Sequence, residues 1–110
     1  MAKNLTLTDT VSISNGGTTS TSISMTRNRV PLAILTPTAL TGTTMTFQAS
    51  VDGTNFYDVY NGSSAYSLTV AASRYIALNP DVFQGVFYIR LVSGSAEGAA
   101  RTIYVISGEL

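Results

Sequence analysis

The chain has 110 residues, six basic and six acidic side chains, no Cys and no His. That length fits one domain, whose stability has to come from burial and backbone pairing rather than disulfides, and the commonest metal ligand and neutral-pH general base are missing. Only 11% of the residues are charged, against about 25% in ordinary soluble domains, so the chain lacks the basic surface that would hold nucleic acid or an anionic membrane.

Period-two alternation opens the chain. Leu5, Leu7, Val11 and Ile13 alternate with Thr6, Thr8, Thr10 and Ser12, interrupted at Asp9, which predicts a half-buried strand. Asn15-Gly16-Gly17 supplies a turn, and Ile23 and Met25 continue the alternation in a Ser/Thr-rich strand ending near Arg27. Val30 to Leu35 is a short apolar run bounded by Pro31 and Pro37, and because proline lacks a ladder donor the run is expected at a sheet edge or a strand start. Met45, Phe47, Ala49 and Val51, set against Thr44, Thr46, Gln48 and Ser50, make the clearest strand. Asp52-Gly53-Thr54-Asn55 then connects by a hairpin into residues 56 to 60, Asn61-Gly62 marks the next turn, and Tyr66 to Val70 the next strand.

Arg74 to Leu78 reads as a short extended piece, and Asp81 to Gly85 as a single helical turn stopped by Gly85. Val86 to Val92 is apolar on both faces apart from Arg90, as expected of a central strand covered on both sides, with Arg101 to Ile106 as its partner. The small-residue loop between them, residues 93 to 100, is expected to be mobile or to reach a neighbour. Eight or nine short strands without a helix of three turns predict an all-β fold. The expected architecture is an antiparallel two-sheet β-sandwich, jelly-roll-like, with 1–110 as one domain and 1–29 as a terminal arm or exchanged strand.

Little in the sequence is arranged for chemistry. No Gly-x-Ser-x-Gly motif or His is present to support a serine nucleophile, and Asn15-Gly16-Gly17 lacks the Lys and helix of a phosphate loop, so an enzyme is not expected. Asp52 before a turn Gly and Asp81 after Pro80 read as local turn or cap residues, and a calcium site from Asp52, Asp58 and loop carbonyls would match no known loop spacing. No cofactor is expected. Tyr57, Tyr60 and Tyr66 cluster around one hairpin end, where they suit core burial, a protein contact or a stacking platform for sugar rings. Arg27 and Arg29 are the one close pair of cations, and join the tyrosines as candidate interaction residues. No run approaches the roughly 18 apolar residues of a membrane helix, and the first residues lack a signal-peptide stretch, so a membrane partner is not expected.

The stretch Phe47-Gln48-Ala49-Ser50-Val51-Asp52-Gly53-Thr54-Asn55-Phe56-Tyr57-Asp58-Val59, with Arg74-Tyr75-Ile76-Ala77-Leu78 and Phe87-Tyr88-Ile89-Arg90-Leu91, resembles a pattern in small structural proteins of tailed bacteriophages. The Ser-x-Asp-Gly-Thr-x-aromatic and Tyr-Ile-Arg-Leu elements are also similar to those of discoidin-like jelly rolls, though the chain lacks the terminal Cys pair many of those carry. The phage resemblance implies a virion component assembled in the host cytoplasm, a capsid decoration or cement protein. Its implied partners are the major capsid protein and further copies of itself, as a trimer. Two other readings stand beside it: a carbohydrate-binding module of a tail or fibre, and a minor tail or head–tail joining protein. A nearly uncharged, hydroxyl-covered exterior fits a subunit covered by neighbours, because charge is what normally keeps small domains apart.

Overall fold

A computed structural model of the chain describes residues 6–25 and 29–109. Arg27 lies outside the described residues. The strands are β1 (Thr6–Ile13), β2 (Ile23–Ser24), β3 (Arg29–Leu35), β4 (Thr44–Ser50), β5 (Tyr57–Asp58), β6 (Tyr60–Asn61), β7 (Ser64–Ala65), β8 (Ser67–Thr69), β9 (Tyr75–Ala77), β10 (Tyr88–Ser93) and β11 (Arg101–Glu109), with a 3-10 turn at Pro80–Phe83. Their pairings are antiparallel, and they form a first sheet in the order β1-β11-β3-β9 and a second in the order β2-β10-β4-β5. The two sheets close a sandwich over Ile13, Ile34, Met45, Phe47, Ile89, Leu91, Ile103 and Val105, all essentially buried.

The chain winds as a hairpin folded in from both ends. β5 and β8 lie on the same edge of β4, β5 opposite Gln48 and Ala49 and β8 opposite Thr44 to Thr46, so they are two pieces of one strand. The β6–β7 hairpin is an excursion between the pieces, turned at Gly62, whose φ of 72° suits glycine. Counting the pieces as one strand and leaving out the excursion, the first strand pairs with the last, the second with the next to last, and so inward to β4 and β5. This is the jelly-roll winding, which sequence pattern could indicate only in outline.

Two expectations about pairing are corrected. β10 and β11 do not pair with each other: β10 is central in the second sheet, between β2 and β4, and β11 is central in the first, between β1 and β3. The loop between them therefore crosses from one sheet to the other. Of the two places expected for the Pro31 run, the sheet edge is excluded, since β3 lies between β11 and β9, and Pro31 is instead the third residue of its strand. Its proline is accommodated because the β3–β11 register slips between Ile106 and Ser107, a bulge at which a missing N–H interrupts no regular ladder. Residues 6–25 are built into the sandwich as the outermost strand of each sheet, not as a projecting arm.

Two polar anchors hold the sandwich together. Arg29 is only 6% exposed, and its guanidinium donates to Asp9 (3.2 Å) on β1, Ser107 (2.6 Å) on β11 and the Ser24 carbonyl (3.0 Å) on β2, tying strands of both sheets. Glu97 is 1% exposed in the loop expected to be mobile. Its carboxylate accepts from the Thr41 N–H (2.8 Å), the Gly42 N–H (2.9 Å), the Ser93 hydroxyl (2.8 Å) and the Arg101 Nε (2.9 Å). That loop is pinned to the 36–43 connection.

Candidate interaction surface

The outer faces of the two sheets differ in chemistry. On the second sheet, alternation turns Met45, Phe47, Ile89 and Leu91 inward and sends Gln48 and Arg90 outward as a cross-strand pair. Arg90 Nε donates to Gln48 Oε1 at 2.8 Å, Gln48 Nε2 donates to Asp58 Oδ1 at 2.9 Å, and the guanidinium stacks 4.0 Å above the Phe56 ring. The polar groups at the centre of this face answer one another, with Tyr88 and Val92 half-buried on either side of Arg90.

The first sheet presents the opposite character. Ile103 and Val105 face inward on β11, so Tyr104 and Ile106 face outward, and the register extends each of them across the sheet. One row runs Thr10, Tyr104, Leu35, Tyr75, and the next Thr8, Ile106, Ala33, Ala77. None of the eight positions is charged. Tyr75 is 64% exposed and Tyr104 45%, Leu35 and Ile106 are half-buried and Ala33 is buried at 1%, so the exposed part of the two rows is a tyrosine and aliphatic patch bordered by the threonines of β1. Aromatic residues without charged neighbours are the composition of a protein contact core.

The sequence-predicted residues do not come together. Tyr66 points into the core, its ring 5.8 Å from Phe47 and 5.4 Å from Phe83, edge-on to the latter, while its hydroxyl accepts the Asn79 N–H at 3.0 Å. It is a packing residue, which breaks the three-tyrosine platform. Tyr57 and Tyr60 are exposed, at 70% and 57%. Arg29 is an internal brace and not a surface contact, because burial has made its partners Asp9, Ser107 and Ser24. The patch is not legible in the sequence, where Arg101 to Ile106 reads as the partner of a strand covered on both faces and Tyr75 as part of a short extended piece.

The carboxylates serve the loops. Asp52 accepts from the Asn55 and Thr54 N–H groups, the Ser50 hydroxyl and the Asn55 side-chain amide, and these bonds, led by the Asn55 N–H, hold its carboxyl well below the usual carboxylate range. For Glu97, burial pushes the carboxyl up, but the Thr41 N–H, Arg101, the Gly42 N–H and Ser93 together outweigh it and hold the pKa at about 2. Among the described residues, no group of three or more acidic, His or Cys side chains is placed to hold a metal ion. A cavity of about 310 Å³ opens between Met25, Arg29, Val30 and the segment from Gln84 to Phe87.

No family model and no curated protein matches the chain. Among solved structures, the SPBc2 prophage-derived protein YomS is similar, with a TM-score of 0.58 at 10% identity over 99% of both chains. At that identity the likeness establishes a shared fold. The Yersinia pseudotuberculosis-derived mitogen YPM aligns with a TM-score of 0.37 at 11% identity, over 98% of this chain and 88% of that one, too slight a likeness to establish a common fold.

Proposed function

We propose that the chain is a non-catalytic structural component of a tailed-bacteriophage virion, a capsid decoration or cement protein that seats the outer face of its first sheet on the shell. The observation that carries this reading is the uncharged patch of Tyr104 and Ile106 on β11, Leu35 on β3 and Tyr75 on the edge strand β9. A face of this kind is stable in water only at a cost, and a protein partner removes that cost. The jelly-roll winding, common in viral capsid domains, and the shared fold with a prophage-derived protein add support at the level of fold. Small contacts repeated over a symmetric shell sum to strong retention, so each copy needs only a modest interface.

Adding purified chain to capsids stripped of accessory proteins tests this directly. Cosedimentation with the shell and a raised shell melting temperature are expected, and both are expected to vanish for Tyr75→Asp combined with Tyr104→Asp. A chain that stays in the supernatant, or one whose binding ignores both substitutions, overturns the proposal. The carbohydrate-module reading is weaker, because the inward turn of Tyr66 leaves it Tyr57 and Tyr60. Glycan retention lost in Tyr57→Ala would favour it.

A further inference from the structure

The outer edge of β1 has a pairing capacity that the described residues leave unused past Thr21. β1 is eight residues long and is hydrogen-bonded along its whole length to β11 on one side. On the other side, Ser12 is engaged: Thr21 N–H donates to its carbonyl at 3.0 Å, and its N–H donates to Thr21 Oγ1 at 3.1 Å. Successive residues of a strand turn their N–H and C=O to opposite sides, so Thr10, Thr8 and Thr6 direct theirs the same way as Ser12, away from β11. Past Thr21, none of the described residues pairs with that edge.

Among the described residues, nothing guards this edge as sheet edges are ordinarily guarded. The other sheet borders are short or broken: β9 has three residues, β2 two, and the β5–β8 border is interrupted by the β6–β7 excursion. β1 contains no Pro, no Lys and no Arg, and its register with β11 runs without a bulge. Its one charge, Asp9, is bridged to Arg29 at 3.2 Å within the same chain, so it does not repel a neighbour as a bare carboxylate would.

We infer that β1 pairs antiparallel with β1 of a second copy about a twofold axis through Thr8, joining the two first sheets into one continuous sheet. The register follows from the free groups. Thr8 opposite the partner's Thr8 places Thr6 opposite the partner's Thr10, and every free N–H and C=O of the three threonines finds a mate. A shift by two residues, setting Thr8 opposite the partner's Thr10, offers Thr6 a Ser12 already bonded to Thr21 and brings Asp9 against Asp9. A shift by one would turn the Val11 and Ile13 face of one strand to the solvent side of the other. The contact is isologous, so it closes at two copies. It needs no virion, and it stands or falls apart from the function proposed above.

Sedimentation of the full chain from low micromolar to millimolar concentration is expected to show a reversible dimer. Thr8→Pro removes an N–H that the monomer does not use, so its melting temperature should match the parent while self-association weakens roughly ten- to hundredfold, two of the six intermolecular bonds being lost. The chain has no Cys, so Thr8→Cys under mild oxidation should form a covalent dimer, and Thr10→Cys should not. Monomer at all concentrations, a dimer indifferent to Thr8→Pro, or cross-linking through Thr10→Cys in preference to Thr8→Cys overturns the inference. Because Thr8→Cys is a conservative change, its result stands even if Thr8→Pro folds poorly.

Discussion

Replacing Glu97 by Gln tests whether the buried carboxylate fastens the crossing between sheets. Each oxygen accepts from two donors: Oε1 from the Thr41 N–H and Arg101, Oε2 from the Gly42 N–H and Ser93. A Gln amide nitrogen in either place meets a fixed backbone N–H head-on, and neither flip satisfies the site. The magnitude follows from the same bonds. A carboxyl held at about 2 in the fold, against an ordinary 4.5, makes the charged form worth ~3 kcal/mol to the folded state at neutral pH. Removing one partner of a buried ion pair costs a similar ~3–5 kcal/mol.

Glu97→Gln should therefore melt roughly 12 to 20 °C below the parent at pH 7, taking ~4 °C per kcal/mol for a domain of this size. The parent also carries a pH signature of definite sign. Its folded state binds fewer protons than its unfolded state between pH 4.5 and about 2, so the contribution is complete above pH 4.5 and is lost as pH falls through about 2. Thermal and urea unfolding across that window should show the parent converging on the variant. A variant within half a kcal/mol of the parent at pH 7, or a difference that does not shrink in acid, would refute the reasoning.

Three further outcomes are expected. Gly42→Ala should destabilise by ~1–3 kcal/mol in urea unfolding, because a Cβ there runs into Ser93 Oγ and lies 3.2 Å from Glu97 Oε2; an unchanged midpoint would contradict the close approach. Asp52→Ala should speed amide hydrogen exchange at Thr54 and Asn55, whose N–H groups it accepts at 2.9 Å, while leaving exchange in β10 and β11 unaltered. Tyr66→Phe should lose ~1 kcal/mol with the bond from Asn79, whereas Tyr57→Ala, on an exposed side chain, should stay within about half a kcal/mol. Equal costs for the two would remove the distinction between core tyrosine and surface tyrosine.

What the sequence made legible is what local chemistry decides. The threonine alternation of β1, the Met45–Phe47 face of β4, the glycine turns at Gly16, Gly53 and Gly62, and the short turn ended by Gly85 all form where their residues predict, with positive φ at each of those glycines. What it hid depends on partners far along the chain. Glu97 sits among Gly, Ala and Ser, and its burial is set by Thr41 and Gly42, which no local pattern associates with it. β10 and β11 carry similar apolar runs, and only the winding assigns them to opposite sheets.

The candidate surface was hidden for a related reason. An apolar run on both faces is what a strand between two layers requires, and it is equally what a strand with a core on one side and a binding face on the other requires. Tyr104 and Tyr75 come into one row only through Leu35, which pairs with both. Tyr66 misled in the opposite direction. Its neighbours in sequence are exposed, yet its ring fills the core beside Phe47 and Phe83.

Cryo-electron microscopy of capsids reconstituted with the chain measures the central claim most directly, since it images which face meets the shell. Density should place Tyr75, Leu35 and Tyr104 against the capsid surface, with the Arg90, Gln48 and Asp58 face turned to solvent. A subunit seated the other way round, with the tyrosine rows facing water, would contradict the account.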